Sequence, residues 1–180
     1  MSKELSIEFE RAVRFLVKHF SSSEKDCRKS VLFHAIRVGV YLYENGYGRE
    51  IVLAGLLHDA IEWSGITQHM IKKEFGEDVL KLVLASTKDI SIADKEERKQ
   101  ELIKPCARSG KDALIVKVAD TIDSFKWYFG QKNEEQIEHC MDVANLIFEL
   151  RPDNFEDKIF EELEFWQNKV EYFNAEYLDR

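Results

Sequence analysis

The sequence predicts an all-α fold, a compact multi-helix bundle closed by two C-terminal capping helices. Three observations carry this. Apolar residues recur at intervals of three and four along nearly the whole chain, the spacing of one helix face. No run alternates apolar and polar residues between turn signals, as a half-buried strand would. Only two Pro and eight Gly interrupt 180 residues, 44% of which are apolar, so the composition suits one helical domain with a real core and excludes collagen-like or low-complexity chains.

The elements run in order along the chain. A first helix is expected from Ser6 to Phe20, with Phe9, Ala12, Val13, Leu16 and Val17 turned inward, until the polar run SSSEKD breaks it. A second spans Lys29 to Glu44, burying Val31, Val38, Tyr41 and Leu42, and Asn45-Gly46 ends it with residues that tolerate the left-handed conformation. The third, Glu50 to Trp63, is apolar on almost every side and is therefore the central helix. Thr67 is placed to cap a short helix that ends at Phe75-Gly76, and Glu77 to Ser86 forms another. A loop over Thr87 to Ile92 and a polar helix over Ala93 to Ala107 come next, with Pro105 expected to stop the latter. Asp112 to Tyr128 carries Leu114, Ile115, Val118, Ile122 and Phe125 on one buried face. Two last helices, Glu134 to Glu149 and Asn154 to Tyr177, complete the chain, the final one with a seam of Phe155, Ile159, Leu163, Trp166, Val170 and Phe173. The division expected is a core over residues 1–130 and an acidic helical extension over 131–180 packed upon it.

Charge is unevenly distributed. The chain has 26 Lys+Arg against 34 Asp+Glu, a net of -8, and residues 131–180 hold 14 acidic and 5 basic side chains, so the first 130 sum to +1. An acidic balance argues against nucleic acid as the main partner, while the neutral front leaves room for a phosphorylated small molecule. The acidic tail reads as a solvated face, with a homodimer contact as its alternative. No window approaches the roughly 18 apolar residues of a membrane span, and the charged start MSKELSIEFERAV is unlike a signal peptide, so a cytoplasmic protein is expected. Cys27, Cys106 and Cys140 are odd in number and far apart, which suggests neither a disulfide framework nor a thiolate zinc site.

The chemistry lies where polar residues interrupt apolar faces. His34 shares a face with Val31, Val38 and Tyr41; His58 and Asp59 fall inside the most buried helix; Asp120 stands between Ala119 and Ile122. A buried Asp carries a large desolvation cost unless it is paired or holds a metal. Imidazoles and carboxylates together suit one divalent transition metal such as manganese, iron, cobalt, nickel or zinc.

The pattern H…HD…D, with FHAIRVGVYL, LAGLLHDAIEW, FGEDVLKLVLASTKD and LIVKVADTIDSF around and between its members, resembles the HD-domain metal-dependent phosphohydrolases, in particular the hydrolase domain of RelA/SpoT-type proteins, over roughly residues 10 to 130. The resemblance implies an all-helical fold, His34, His58, Asp59 and Asp120 as ligands of one manganese ion, and 3′-pyrophosphohydrolase activity on guanosine alarmones in a small form without the synthetase domain. Glu62 stands where the family has the first acid of HDxxED, at i,i+4 from His58, and is a candidate for orienting or deprotonating the attacking water or for a plain salt bridge. Trp63 replaces the second acid, and Ser124 replaces an Asn near the nucleotide's sugar. Lys25, Arg28 and Lys29 are candidates for a basic substrate loop or for a solvated one. Lys117, three residues before Asp120, either neutralises a phosphate or pairs with an acid, and Asp123 is placed to support the ligands from behind.

These departures leave a second enzymatic reading open, a nucleotide phosphatase or phosphodiesterase of the wider HD superfamily. A third is a catalytically impaired module that binds metal and nucleotide. Trp63, Trp127 and Tyr128 are either core aromatics or a base-stacking surface. The sequence assigns no role to His69 and His139, and a helix-dipole interaction suffices for His19.

Overall fold

The computed structural model describes residues 2–20, 29–87, 100–101 and 103–178, the last six of these as backbone only. Among them the protein is all-α: α1 (Lys3–His19), α2 (Val31–Glu44), α3 (Arg49–Leu57), α4 (Ala60–Trp63), α5 (Gln68–Phe75), α6 (Glu77–Ser86), α7 (Lys104–Ser109), α8 (Lys111–Gln131), α9 (Glu134–Leu150) and α10 (Lys158–Leu178). No described helix is long and apolar enough to cross a membrane.

Two helices form the centre. Every residue of α3 from Ile51 to Leu57 is buried, and α8 is buried along most of its length. Helix α2 packs on both, α6 packs on both from another side, and α1 covers α3. The contact between α2 and α3 runs through two glycines. A Cβ on Gly39 would stand 2.4 Å from Leu56 Cγ, and one on Gly55 2.3 Å from Leu42 Cδ1. Both leucines are fully enclosed and have nowhere to move, so glycine at each position sets how closely the two helices approach. That approach matters because α2 carries His34 and the end of α3 carries His58.

Local sequence signals explain most boundaries. Ser2 caps α1 by accepting from the Leu5 amide, which starts that helix earlier than expected. Thr67 accepts from the Met70 amide and caps α5 as the sequence predicts. Lys132 closes α8 in the left-handed conformation (φ 52°), and Asn133 then caps α9 through the Gln136 amide.

Several expectations need correction. The helix expected over Glu50 to Trp63 is two helices, with a turn at His58-Asp59 between them, where Asp59 has φ -93° and ψ -3°. Pro105 sits in the first turn of α7, where its missing N–H has no intrahelical acceptor to lose, and residues 100 and 101 ahead of it are helical as well. Val17 is exposed. Helix α10 starts at Lys158, after a turn from Pro152 to Phe155 and an Asp157 side chain that accepts from the Ile159 amide, so Phe155 packs from the loop. The SSSEKD loop, Cys27 and residues 88–99, which cover most of the expected loop and polar helix, lie outside the described residues.

The two last helices pack on α8, α9 beside it and α10 across both. Ile159, Leu163 and Val170 are buried in this seam, and Trp166 is partly buried against Phe129. Cys106 and Cys140 are buried thiols not joined in a disulfide, and burial pushes them up to about 11 and about 12.

Candidate metal centre

Three elements deliver the polar residues to one point: α2 brings His34, the α3–α4 break brings His58 and Asp59, and α8 brings Asp120. Donor atoms of His34, His58 and Asp120 all lie within 4.8 Å of one another. His34 Nε2 is 3.2 Å from His58 Nε2 and 3.0 Å from Asp120 Oδ1. Asp59 Oδ2 borders the group, 3.5 Å from His58 Nε2 and 3.9 Å from His34 Nε2. In an unbroken helix, His58 and Asp59 would point about 100° apart. At this turn the two side chains nonetheless bring Asp59 Oδ2 and His58 Nε2 to 3.5 Å.

Each imidazole is oriented from behind. His58 Nδ1 lies 2.8 Å from the carbonyl oxygen of Gly55, which can only accept, so Nδ1 donates there and Nε2 is the nitrogen turned to the cluster. His34 Nδ1 lies 2.5 Å from Asp123 Oδ2, with the same consequence for its Nε2. Where both Nε2 atoms are unprotonated, their lone pairs at 3.2 Å repel unless a cation joins them. One cation already stands there: the Lys29 ammonium donates to His34 Nε2 (2.9 Å) and to Ser124 Oγ (2.7 Å), 3.7 Å from Asp120 Oδ1. The donor set, two nitrogens with carboxylate oxygen, fits a divalent transition metal.

The carboxylates are strongly biased toward the ionised form. Burial opposes this for Asp120, but the Lys117 ammonium at 2.8 Å from Oδ2 and the hydrogen bond with His34 hold its pKa well below the ordinary carboxylate range. Burial likewise opposes ionisation of Asp59, and the neighbouring His58 outweighs it. Asp123 is kept low, against burial, by His34 and by Arg37. His34 is the counterpart: burial disfavours its charged form, yet hydrogen bonds to Asp120 and Asp123 raise its pKa above 6.5. In the absence of metal, a proton on His34 is the alternative way to separate the two lone pairs.

The other expected residues take distinct places. Lys117 is buried and bound to Asp120 Oδ2, the second of its two alternatives, and it leaves only Oδ1 to face the cluster. Asp123 stands behind His34, and Lys29 and Ser124 meet at the cluster's edge. Glu62 is half-buried on α4, the helix that starts immediately after Asp59. Trp63 is exposed, Trp127 partly buried and Tyr128 buried. Lys25 and Arg28 lie outside the described residues.

Sequence reading missed Arg37. Its guanidinium donates from Nε to Asp123 Oδ1 and from Nη2 to Asp123 Oδ2, both at 2.7 Å. The available signal was its spacing, one turn after His34 and opposite an Asp placed one turn after Asp120.

Residues 12–150 match the family model described as HD domain. Two curated relatives carry the name guanosine-3′,5′-bis(diphosphate) 3′-pyrophosphohydrolase. One, from Aquifex aeolicus, is 30% identical over 134 residues, 72% of this chain and 19% of the relative. The other, MESH1 of Drosophila melanogaster, is 32% identical over 112 residues, 61% of this chain and 62% of the relative. The chain thus spans about a fifth of the first and about three-fifths of the second. A solved structure described as a metazoan ortholog of SpoT that hydrolyzes ppGpp shares the fold, with a TM-score of 0.69, 20% identity, and coverage of 94% of this chain and 97% of that one. With the helical fold, the clustered His, His and Asp donors and these matches together, the chain belongs to the HD-domain family of metal-dependent phosphohydrolases and is related within it to the RelA/SpoT-type hydrolases.

Proposed function

We propose that the protein hydrolyses a guanosine 3′,5′-bis(diphosphate)-type alarmone, releasing pyrophosphate from the 3′ position, with His34, His58, Asp59 and Asp120 holding one divalent metal, manganese first. The observation that carries this reading is the pair of imidazole Nε2 atoms at 3.2 Å beside Asp120 Oδ1, a donor set that a divalent cation fits. The names of the two relatives support the choice of substrate.

When bound, such a metal lowers the pKa of water from 15.7 toward about 7 and polarises a phosphoryl oxygen. The remaining work belongs to the chain. Glu62 takes the proton of the attacking water and passes it to the departing 3′ oxygen, while the hydroxyl ends on the pyrophosphate. Lys29, released from His34 Nε2 when that lone pair is occupied, moves its ammonium onto the substrate phosphates, and Ser124 beside it binds the sugar. Lys25 and Arg28 extend this basic edge. Lys117 fixes Asp120 and Asp123 fixes His34, so the ligands are held in place before substrate arrives. The substrate is a free nucleotide, the site of action the cytoplasm, and the acidic extension over 131–180 serves to cover the core.

Exposure of Trp63 favours a second reading. An indole with 44% of its surface open stands where the family has its second acid, so this position supplies no carboxylate. The site would then act as a phosphatase or phosphodiesterase on other nucleotides, or bind them without turnover.

One experiment separates these. Metal content of the purified protein is measured, and the same sample is incubated with guanosine tetraphosphate and manganese. About one metal per chain with pyrophosphate release is the expected result. Orthophosphate from nucleoside monophosphates supports the phosphatase, nucleotide binding without products supports the module, and failure to take up any metal overturns the metal reading.

A further inference from the structure

Beside the cluster, Asp123 is itself held by a clamp of Arg37, Phe33 and Trp127, three residues that the proposed chemistry does not use. On α2, Phe33 and Arg37 are spaced i,i+4; on the facing α8, Asp123 and Trp127 have the same spacing. The Arg37 guanidinium lies between two aromatic faces, 4.9 Å from the Phe33 ring centre and 5.0 Å from that of Trp127. From there it makes the paired 2.7 Å hydrogen bonds to both oxygens of Asp123. Asp123 Oδ2 also accepts from His34 Nδ1 at 2.5 Å.

We infer that Arg37, stacked between Phe33 and Trp127, is a positioning residue for the metal centre: by fixing Asp123 it fixes the ring orientation and tautomer of His34. The inference rests on the reading of His34 as a ligand. Three features point the same way. A lone carboxylate has free rotation about its terminal bond, and a bidentate guanidinium removes it because two parallel bonds define the carboxylate plane. The guanidinium is itself held, since cation–π contacts on two sides restrict a side chain that otherwise has several rotatable bonds. Finally, His34 is fully enclosed, so its ring angle is set by Asp123 on one nitrogen and the cluster on the other. A lysine at position 37 would keep the charge while losing both the fork and the stack.

The test compares wild type with Arg37→Met and Arg37→Lys by calorimetric titration of the metal-free proteins with Mn²⁺ alone. It adds the nitrogen-15 spectrum of the His34 ring at alkaline pH, a readout that loss of general stability does not move. We expect Arg37→Met to bind Mn²⁺ about 10- to 100-fold more weakly, with Arg37→Lys in between. The His34 spectrum should change from the single Nδ1–H tautomer to a mixture. Affinities within about twofold of wild type, with the tautomer retained, would overturn the inference. If Arg37→Met does not fold, Arg37→Lys carries the same comparison, and wild-type binding by it would be the overturning result. A wild-type protein that binds no Mn²⁺ would instead overturn the metal reading, and the tautomer comparison would still decide whether Arg37 governs His34.

Discussion

Two of the polar networks among the described residues, both inside or against the core, differ in how their acceptors are matched. Where α10 docks, Tyr41 donates to Glu162 Oε2 at 2.7 Å, Lys126 donates to Glu162 Oε1 at 2.8 Å, and Tyr47 donates to Asp157 Oδ1 at 2.5 Å. Every acceptor there has its own protein donor. Around His34 the acceptors also meet donors, Lys29 at His34 Nε2 and Lys117 at Asp120 Oδ2, but here two ring nitrogens and a carboxylate oxygen are turned toward one common point. Burial of polar groups therefore does not by itself mark a functional site. A network that satisfies itself is structural, and one that converges its acceptors on a common point has been shaped around something it binds.

The largest expected effect comes from removing the acceptor shared by both kinds of interaction. Asp120→Ala should abolish metal uptake and hydrolysis and also leave the Lys117 ammonium buried without its partner, at a cost of about 3–5 kcal/mol in unfolding free energy. Adding Lys117→Met should return much of the stability and none of the metal binding. Urea denaturation and elemental analysis on the two variants check this, and restored metal in the double variant would show that Asp120 is not a ligand. Glu62→Gln should come next, with kcat lower by about 10²–10⁴-fold and metal content unchanged. Unchanged kcat would assign Glu62 to a salt bridge.

The two networks should also respond to pH with opposite sign. His34 has a raised pKa, so the proton stabilises the metal-free fold below 6.5, and that contribution is lost as pH rises through the folded-state value. Proton and metal compete for the same nitrogen. Mn²⁺ affinity should therefore increase with pH above 6.5, while the melting temperature of the metal-free protein declines, and an affinity that is flat across this range would remove His34 from the ligand set.

Helix periodicity made most of the bundle readable, because 3.6-residue spacing is a local property. The α3–α4 break was hidden from it: Glu50 to Trp63 is apolar enough to read as one helix, and only the packing of α2 and α8 shows why His58 and Asp59 leave that pattern. Pro105 can be read in two ways from the sequence, since proline both ends helices and begins them, and the helix Lys104–Ser109 that contains it becomes visible only in the structure. His34, His58, Asp59 and Asp120 stood out as polar interruptions of apolar faces. Arg37 did not, because an arginine on a half-exposed face is ordinary until Asp123, 86 positions later, is seen opposite it.

The smallest effect expected lies at the α10 dock and isolates the self-satisfied network. Tyr41→Phe deletes one donor to Glu162 while Lys126 remains, so the loss should be near the net value of a single hydrogen bond to a charged group, about 1.5–3 kcal/mol at most. Burial opposes ionisation of Glu162, and Lys126 and Tyr41 outweigh it, so its pKa lies below 4.5. Its stabilising contribution is therefore complete above that value and is lost as pH falls through the depressed one. Denaturation of Tyr41→Phe at neutral and acidic pH should show a deficit that shrinks on acidification, with Mn²⁺ affinity equal to wild type throughout. A change in that affinity would mean that the dock and the metal centre are coupled through α8, the helix that carries both Lys126 and Asp120.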